Sequence, residues 1–319
     1  MQLAYALLLS IIFISFGSNA QTYRTIAFYN VENLFDTLDT PNKNDVEYLP
    51  TAKKEWTSER YFEKITHINE VMDSLCSPLL VGLCEIENRR VVEDIVANGS
   101  MKNTHNVVHF ESADARGIDN ALLYDSTVLE LVDKGAIRFA MPAPDTPTRD
   151  IVWAKFKHGE EYIIAMVNHW PSRRGGRAES EPKRMIAATS AKEFISAQMD
   201  SHKDIQIVFM GDLNDYPENR APSLISEMLV PLISKKSGEF GGSHNYRQEW
   251  GVLDHIMVSK SFLQNKGMKA LKKSGKIHSP QFLLGEYRGN IVPNRTYGGA
   301  KYLGGYSDHL PVTIEVRIK

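Results

Sequence analysis

The stretch Asp204-Ile-Gln-Ile-Val-Phe-Met-Gly-Asp-Leu-Asn-Asp215 is an apolar run that ends at a glycine and a carboxylate. Residues 205–210 have the length and branching of a buried strand, and Gly211 allows a turn where a ligand approaches closely. Because side chains alternate along a strand, Asp212 and Asn214 are predicted to point the same way, about 7 Å apart. Such a pair can take a proton and hold a phosphate oxygen. An Asx-rich turn after a strand is the alternative, and this stretch alone favours it.

Other predicted strands also carry polar side chains at one end. Each of them, taken alone, is weak evidence for a site. Together they supply two amides, several carboxylates and two imidazoles, with no Cys among them. Such ligands suit Mg2+, Mn2+ or Ca2+ rather than a structural zinc, and a hard cation with His and carboxylates is what phosphoester hydrolysis needs. The side chains are Asn30 and Glu32 near the end of strand 25–31, Glu85 after 79–84, His169 at the end of 162–169, Asp254 near the start of 253–259, and Asp308 with His309 before 312–318.

Glu85 directly follows an apolar run, and a buried carboxylate is costly unless it is paired or binds a metal. A salt bridge to Arg89 or Arg90 and a metal ion are equally compatible with this segment. Glu87, two residues further on, is a competing ligand. The position of Glu85 immediately after the strand favours it over Glu87.

A basic, glycine-containing segment follows His169, and its arginines are Arg173, Arg174 and Arg177. Guanidinium groups match phosphate oxygens, and glycines let backbone N–H groups converge, so we interpret these arginines as phosphate-binding. A solvated basic turn is the alternative. Residues 260–276 hold six lysines and no acid, which indicates either a nucleic-acid contact or, more commonly, a solvated face.

The 319 residues carry a net charge of −2, so any site for a polyanion must be a local patch. No internal repeat is visible, and residues 21–319 are predicted to form one domain. The helical spacing of apolar residues predicts helices over 58–75, 88–97, 184–199 and 221–229, whereas a strand hairpin is predicted over 151–169 and a long loop over 277–306.

Residues 1–20 resemble a secretory signal peptide, because the apolar core Leu7–Phe16 is followed by small residues before Gln21. The absence of Lys and Arg before this core weakens the assignment. A membrane anchor is the alternative, although the core is shorter than the ~18 residues that span a bilayer. The protein is therefore predicted to be exported, periplasmic or extracellular, without stable membrane association or an evident protein partner. Cys76 and Cys84 are predicted to be two buried thiols.

The strand-end motifs resemble, in order, those of the endonuclease/exonuclease/phosphatase superfamily (DNase I-like), over residue 25 to the C-terminus. The segment 30–36, together with the secretory signal, is most similar to the secreted bacterial nucleases of that superfamily. The matching motifs are Asn30 in Phe-Tyr-Asn-Val, Glu85 in Gly-Leu-Cys-Glu, His169 in Val-Asn-His, Gly211-Asp-Leu-Asn214, Asp254 in Leu-Asp-His-Ile, and Ser307-Asp-His309.

The resemblance implies an α/β fold, namely a four-layered α/β sandwich of two mainly antiparallel sheets packed face to face with helices outside. It also implies a role for each matched residue. Glu85 would be the principal ligand of Mg2+ (Mn2+ or Ca2+ being alternatives), with Asn30 and Asp308 close to the same ion. Asp212 would orient or deprotonate the attacking water, Asn214 and His169 would hold the scissile phosphate, and His309, oriented by Asp254, would stabilise the developing charge or protonate the leaving oxygen.

The function predicted from these features is secreted, metal-dependent hydrolysis of nucleic-acid phosphodiester bonds by in-line attack of water. A phosphatase or phosphodiesterase of the same superfamily that acts on a small or lipid phosphoester is the alternative. A non-catalytic binding protein is a third interpretation, disfavoured because every matched position is filled. Phe282-Leu-Leu284 is the one modest candidate for a lipid-contacting loop.

Overall fold

The structure is a computed structural model that describes residues 22–76, 78–142, 147–265 and 267–319. The predicted signal peptide, residues 1–20, lies outside these ranges. Across the described ranges, no helix combines the length and apolar character needed to cross a bilayer.

Five α-helices and nineteen β-strands form within the described residues, in addition to four short 3-10 turns. The helices are α1 (Ser58–Ser74), α2 (Arg89–Ala97), α3 (Arg177–Ser201), α4 (Arg220–Ser226) and α5 (Lys260–Gln264). The strands are β1 (Thr22–Leu34), β2 (Leu80–Ile86), β3 (His105–His109), β4 (Asp119–Asp125), β5 (Glu130–Ile137), β6 (Ile151–His158), β7 (Glu161–His169), β8 (Gln206–Asp212), β9 (Val230–Pro231), β10 (His244–Tyr246), β11 (Glu249–Gly251), β12 (Asp254–Val258), β13 (Lys269–Ala270), β14 (Lys276–Ile277), β15 (Leu284–Tyr287), β16 (Asn290–Pro293), β17 (Tyr297–Gly298), β18 (Lys301–Tyr302) and β19 (Val312–Ile318).

Two large sheets contain the longer strands. The first has the order β13-β19-β1-β2-β4-β3, with β14 also paired to β19, and the second has the order β5-β6-β7-β8-β12-β9. Within each sheet one neighbouring pair is parallel, β1 with β2 and β7 with β8, and the other pairs along these orders are antiparallel. Helix α1 lies in the crossover between β1 and β2, and α3 lies in the crossover between β7 and β8. The predicted sandwich of mainly antiparallel sheets is confirmed.

Alternate side chains of the second sheet enter two different apolar cores. Val208 and Met210 of β8 pack in the core that the two sheets share, whereas Ile207 and Phe209 pack in a second core beneath α3 and α4. Strands buried on both faces read as continuous apolar runs, which is why residues 205–210 lack a polar face. Helices α1 and α2 cover the first sheet, so the order of layers is helix, sheet, sheet, helix.

Gly211 is needed for a different reason from the one that the sequence indicated. A Cβ atom at this position would lie 2.3 Å from the carbonyl oxygen of Asn168 on β7. The glycine therefore allows the neighbouring strand β7 to approach closely, whereas the sequence predicted the close approach of a ligand. Close packing of β7 on β8 brings the ends of these two strands together.

Four local predictions differ from the structure. Helix α3 begins at Arg177, before Pro182, because the buried Arg184 guanidinium donates to the Arg177 carbonyl (3.0 Å) and the Ser180 hydroxyl (2.8 Å) in its first turn. Helix α4 ends at residue 226, and the predicted loop 277–306 contains the strands β15 to β18. Cys84 is buried, as predicted, but Cys76 is exposed in the turn after α1, so the prediction of two buried thiols is wrong for Cys76.

Candidate active site

Strands β1 and β2 both end in an irregularity of the β-ladder, and each irregularity carries a carboxylate, Glu32 in β1 and Glu85 in β2. The register between them shifts after Asn30, and Glu85 sits at a second shift, between β2 and β4. Glu32 (φ 53°), Asn33 (φ 51°) and Glu85 (φ 61°) adopt left-handed backbone conformations there. Left-handed non-glycine residues are strained, and such strain is often found at functional sites. The Asn33 N–H donates to Glu85 Oε2 (3.0 Å), which fixes this carboxylate.

The ends of β7 and β8 bring His169 and Asp212 next to each other in register. His169 Nε2 lies 3.6 Å from Asp212 Oδ2 and 3.8 Å from Glu85 Oε1. The Asn30 amide connects the sheets, because its Nδ2 donates to Glu85 Oε1 (3.3 Å) and to Asp212 Oδ2 (3.1 Å). Burial, together with Arg149, holds the pKa of His169 well below its usual value, so this imidazole is neutral.

Asp254 and His309 form a hydrogen-bonded pair beside Asp212. Asp254 Oδ2 lies 2.8 Å from His309 Nδ1, and His309 Nε2 lies 3.8 Å from Asp212 Oδ2. Burial alone would lower the pKa of His309, but Asp254 and Asp212 outweigh it and raise that pKa well above its usual value. Burial raises the pKa of Asp212 to about 7, although the nearby His309 works against this rise. The pair consequently holds a protonated imidazole next to a carboxylate that can exchange a proton near neutral pH.

Asn214 reaches the site in a way that strand alternation does not predict. The strand β8 ends at Asp212, and Asn214 (φ 49°) lies in a left-handed turn beyond it. Its backbone N–H donates to Asp212 Oδ1 (2.9 Å), and its Nδ2 donates to the Trp170 carbonyl oxygen (3.1 Å). The turn therefore holds the amide of Asn214 beside the Asp212 carboxylate, in the manner of an Asx turn.

A group of carboxylates provides the donor set that a hard cation requires. Asp308 Oδ2 and Glu32 Oε1 both lie close to Arg295 Nη2, at 3.0 Å and 3.1 Å. Burial and the neighbouring Asp308 raise the pKa of Glu32, whereas Lys64 and Arg295 work against this rise. Carboxylate and amide oxygens are the donors that fit Mg2+, Mn2+ or Ca2+. The residues that would hold the ion are Glu85, Asn30 and Asp308, whereas Glu32 is occupied by Arg295 and the Thr296 N–H.

The sequence left open a salt bridge from Glu85 to Arg89 or Arg90, and Glu87 as a competing ligand, but these three residues have other partners. Arg89 pairs with Glu93 (2.6 Å), and Arg90 lies 4.0 Å from Asp36. Glu87 accepts hydrogen bonds from the Asp36 N–H (2.6 Å) and the Thr40 hydroxyl (2.7 Å), so its carboxylate stabilises the loop after β1. Glu85 remains the carboxylate that faces His169 and Asn30.

The three arginines that were predicted to bind phosphate have different surroundings. Arg173 donates to the Asn214 carbonyl oxygen (2.8 Å) and lies over the Tyr216 ring, 3.9 Å from its centroid. Arg177 donates to Asn219 at the start of α4. Arg174 is exposed and lines two cavities next to the site. Arg174 is thus the arginine best placed to meet a substrate, and the two others also shape the loop.

Two described lysines of the segment 260–276 can be placed along β19 relative to the candidate site. In the β13–β19 register Lys269 lies opposite Arg317. Arg317 is about 17 Å along β19 from Val312, the residue of this strand that is next to the site. Lys276 lies closer, opposite Thr313, and Lys266 is outside the described residues. This placement favours the solvated-face interpretation for the segment as a whole.

The sequence did not single out four residues that the fold brings to the site. His244 stacks on His309 with ring centroids 4.5 Å apart, and burial lowers its pKa to about 4. Arg295 joins Asp308 to Glu32, and Arg149 donates to the Trp170 carbonyl oxygen (2.8 Å). Tyr216 stacks under Arg173. These residues come from loops or short strands without an apolar run, so no local sequence pattern marks them.

A cavity of about 340 Å³ opens beside Asn214 and His244. Tyr216 and Tyr246 line it, together with Arg173 and Arg174. Tyr246 is 64% exposed at the tip of the β10–β11 hairpin, with the Arg247 guanidinium 5.2 Å from its ring centroid. Aromatic rings next to guanidinium groups can stack on a planar ring and attract an anion at once.

Comparisons with known proteins agree with this geometry. Residues 25–318 match a family model described as the Endonuclease/Exonuclease/phosphatase family. A search of curated proteins finds no match at the level of sequence. The fold is similar to that of an endonuclease/exonuclease/phosphatase family protein from Bacteroides thetaiotaomicron, at 16% identity and TM-score 0.59 over 94% of this chain and 96% of that one.

Two further solved structures share the fold. The mannosyl-6-phosphatase Bt3783 of Bacteroides thetaiotaomicron is 16% identical, with TM-score 0.60 over 92% of this chain and 99% of that one. The human Nocturnin catalytic domain with bound sulfate is 14% identical, with TM-score 0.56 over 94% of this chain and 98% of that one. At such low identities the likeness concerns the fold alone.

Proposed function

Because the chain belongs to the endonuclease/exonuclease/phosphatase family, whose members are metal-dependent phosphoesterases, we propose that it is a divalent-metal-dependent phosphodiesterase that hydrolyses nucleic acid. The observation that carries the proposal is the cluster in which Asn30 joins Glu85 to Asp212, next to the Asp254–His309 pair. We further propose that the protein acts after export, in the periplasm or outside the cell, on the basis of residues 1–20.

Each side chain of the cluster has a role in this reaction. Asp212, whose pKa lies near neutrality, accepts the proton of the attacking water. Neutral His169 and the amide of Asn214 donate hydrogen bonds to oxygens of the scissile phosphate. His309, charged and held by Asp254, stabilises the leaving oxygen or gives it a proton. A bound divalent cation would supply neutralisation of the phosphate charge.

The cavity beside Asn214 supports nucleic acid as the substrate. Tyr216 and the exposed Tyr246 offer ring faces for a base, and Arg173 and Arg174 offer positive charge for the backbone. Stacking on such rings contributes roughly 1–3 kcal/mol per base. The lipid alternative has less support, since Phe282 packs against Tyr306 and Leu283 is buried. A small phosphomonoester remains the second candidate, in view of the similar mannosyl-6-phosphatase structure.

Metal removal tests the proposal. Plasmid DNA, RNA, bis-nitrophenyl phosphate and nitrophenyl phosphate are incubated with the protein and Mg2+, Mn2+, Ca2+ or EDTA. We expect nicking of nucleic acid that EDTA abolishes and an excess of Mg2+ restores, because the carboxylates around Asp308 cannot approach a phosphate without a cation. The rate should also fall steeply with salt if several phosphates are bound.

Two results would contradict the proposal that the protein is a nuclease. Cleavage of the monoester with intact DNA and RNA would assign a phosphatase. Metal binding without turnover of any of the four phosphoesters would assign a non-catalytic protein.

Asp254→Asn is expected to move the alkaline limb of the kcat/KM profile to lower pH, because it removes the charge that raises the pKa of His309. His309 acts in its charged form, so activity persists below the pKa of His309 and falls as pH rises through it. Asp254 raises that pKa, and the uncharged amide would let it drop. Initial rates from pH 5 to 10 measure the limb. Asp200→Asn, a change at an exposed carboxylate on α3, is the control, and an unmoved limb in Asp254→Asn would exclude His309 as the titrating acid.

A further inference from the structure

One guanidinium connects two carboxylates at the candidate site. Arg295 lies between β16 and β17, and its side chain is 45% exposed. Its Nη2 donates to Asp308 Oδ2 (3.0 Å) and to Glu32 Oε1 (3.1 Å), and its Nε also donates to Glu32 Oε1 (3.3 Å). Arg295 therefore bridges the carboxylate at the end of β1 and the carboxylate that precedes β19.

Glu32 and Asp308 depend on this guanidinium to different degrees. Glu32 has further donors, since its carboxylate also accepts the backbone N–H groups of Thr296 (2.7 Å) and Tyr297 (3.4 Å). Within the residues that the structure describes, the one hydrogen bond to the Asp308 carboxylate comes from Arg295. The guanidinium is thus the main partner of Asp308.

Both members of the Arg295–Asp308 pair are charged. Burial alone would raise the pKa of Asp308, but His309 and Arg295 outweigh it and hold that pKa below its usual value. Burial alone would lower the pKa of Arg295, but Asp308 and Glu32 outweigh it and raise that pKa. The guanidinium consequently stays positive wherever Asp308 is ionised.

Glu85, another carboxylate of the proposed ion site, has neutral donors instead. Its oxygens accept hydrogen bonds from the Asn30 amide (3.3 Å) and the Asn33 N–H (3.0 Å). A neutral donor fixes a carboxylate without adding a positive charge, whereas a guanidinium adds one. A guanidinium also has five N–H donors and no acceptor, so it cannot itself bind a metal ion. Arg295 therefore opposes a cation at Asp308 and adds no ligand.

We propose that Arg295 competes with the divalent cation for the carboxylate of Asp308 and thereby sets how tightly the protein binds its metal ion. The inference rests on the metal site of the proposed function, but not on nucleic acid as the substrate. Two cations at one carboxylate repel each other, so the guanidinium lowers the affinity of Asp308 for an ion. The alternative is that Arg295 only positions Asp308, in which case its loss would weaken the binding of the ion.

The first test is calorimetric titration of the EDTA-treated and dialysed protein with Mn2+, which requires no substrate and no turnover. We expect Arg295→Met to bind Mn2+ about tenfold more tightly than the parent, because it removes a charge-assisted hydrogen bond to Asp308 with which the ion competes. Arg295→Gln, which keeps an amide donor but no charge, should also bind more tightly. Arg295→Lys, which keeps the charge, should stay close to the parent.

The second test is thermal unfolding with and without the ion. In EDTA we expect a lower Tm for Arg295→Met, because Glu32 and Asp308 lose the cation that they share. An ion that binds more tightly stabilises the folded protein more at the same concentration. The same excess of Mn2+ should therefore raise the Tm of Arg295→Met further above its EDTA value than it raises the Tm of the parent.

Arg220→Met is the matched control, since it also removes a guanidinium from an ion pair, with Glu181 at 2.9 Å. It should keep the Mn2+ affinity of the parent. A double-mutant cycle identifies the carboxylate through which Arg295 acts. In an Asp308→Asn background, Arg295→Met should lose most of its gain in affinity.

Unchanged or weaker Mn2+ binding in both Arg295→Met and Arg295→Gln would overturn the inference, even if the protein proves to be an active nuclease. An equal gain in the Asp308→Asn background would also overturn it. Absence of Mn2+ binding by the parent would overturn the metal site together with the inference. The expected gain in a protein that cleaves only phosphomonoesters would support the inference and overturn only the nuclease.

Discussion

Asp212→Asn is expected to lower kcat/KM for phosphodiester hydrolysis by roughly 10²–10⁴-fold, the range for loss of a positioned proton acceptor. Asn has the shape of Asp but cannot take a proton from water. Burial raises the pKa of Asp212 to about 7, so the native carboxylate is suited to proton exchange at neutral pH. The change also removes one of the charges that face His309 at 3.8 Å. Initial rates at saturating Mg2+ with bis-nitrophenyl phosphate and plasmid DNA measure the effect.

Asp204→Asn is the matched control for this experiment. Asp204 is exposed near the opposite end of the same strand, so its loss changes the net charge by the same amount without touching the site. We expect wild-type rates from this variant. Thermal unfolding of both variants separates a lost proton acceptor from a lost fold. Near wild-type turnover in a folded Asp212→Asn protein would assign water activation to another group.

Arg184→Met is expected to lower the free energy of unfolding by about 3–5 kcal/mol, because it leaves a buried carboxylate with less compensation. The Arg184 side chain is fully buried, and its Nε lies 3.0 Å from Asp215 Oδ2. Arg173, at 3.4 Å from Asp215 Oδ1, provides a second and partly exposed partner. Equilibrium urea denaturation, with an unchanged slope, gives the difference.

Lys192→Met on the same helix α3 is the comparison, since it also replaces a cation of an ion pair by Met. Lys192 pairs with Glu227 at 2.6 Å near the surface, where such pairs contribute only about 0–1 kcal/mol. If Arg184→Met costs no more than Lys192→Met, Arg173 alone suffices to compensate Asp215. A large cost would show that α3 stabilises the loop that carries Asn214.

The strand ends of the site could be predicted because they depend on short-range sequence. An apolar run followed by a polar side chain predicts both the strand and its exit, and this pattern located Asn30, Glu85, His169 and Asp212. The structure brings all four within hydrogen-bond or ion-pair distance of a neighbour in the group. The sandwich fold followed from the resemblance of these ordered motifs.

Other parts of the site depend on contacts that no local pattern encodes. The backbone is left-handed at Glu85 and Asn214, where a strand bulges or turns. Neither position is a glycine, so the sequence does not indicate this conformation. His244 and Arg295 lie in segments without an apolar run, and they reach the site only through packing against His309 and Asp308.

The Asn30 amide, which bonds to one carboxylate in each sheet, also bears on how the chain acquires activity. Its partner Asp212 is 182 residues away along the chain, whereas Glu85 is 55 residues away. Each sheet can form its own ladder of hydrogen bonds before the other, but the cluster exists only after the two halves dock. Contacts between such distant residues form late and slowly during folding. Recovery of hydrolysis in a refolding experiment therefore reports the docking of the two sheets, and a partly folded chain with intact strands would be inert.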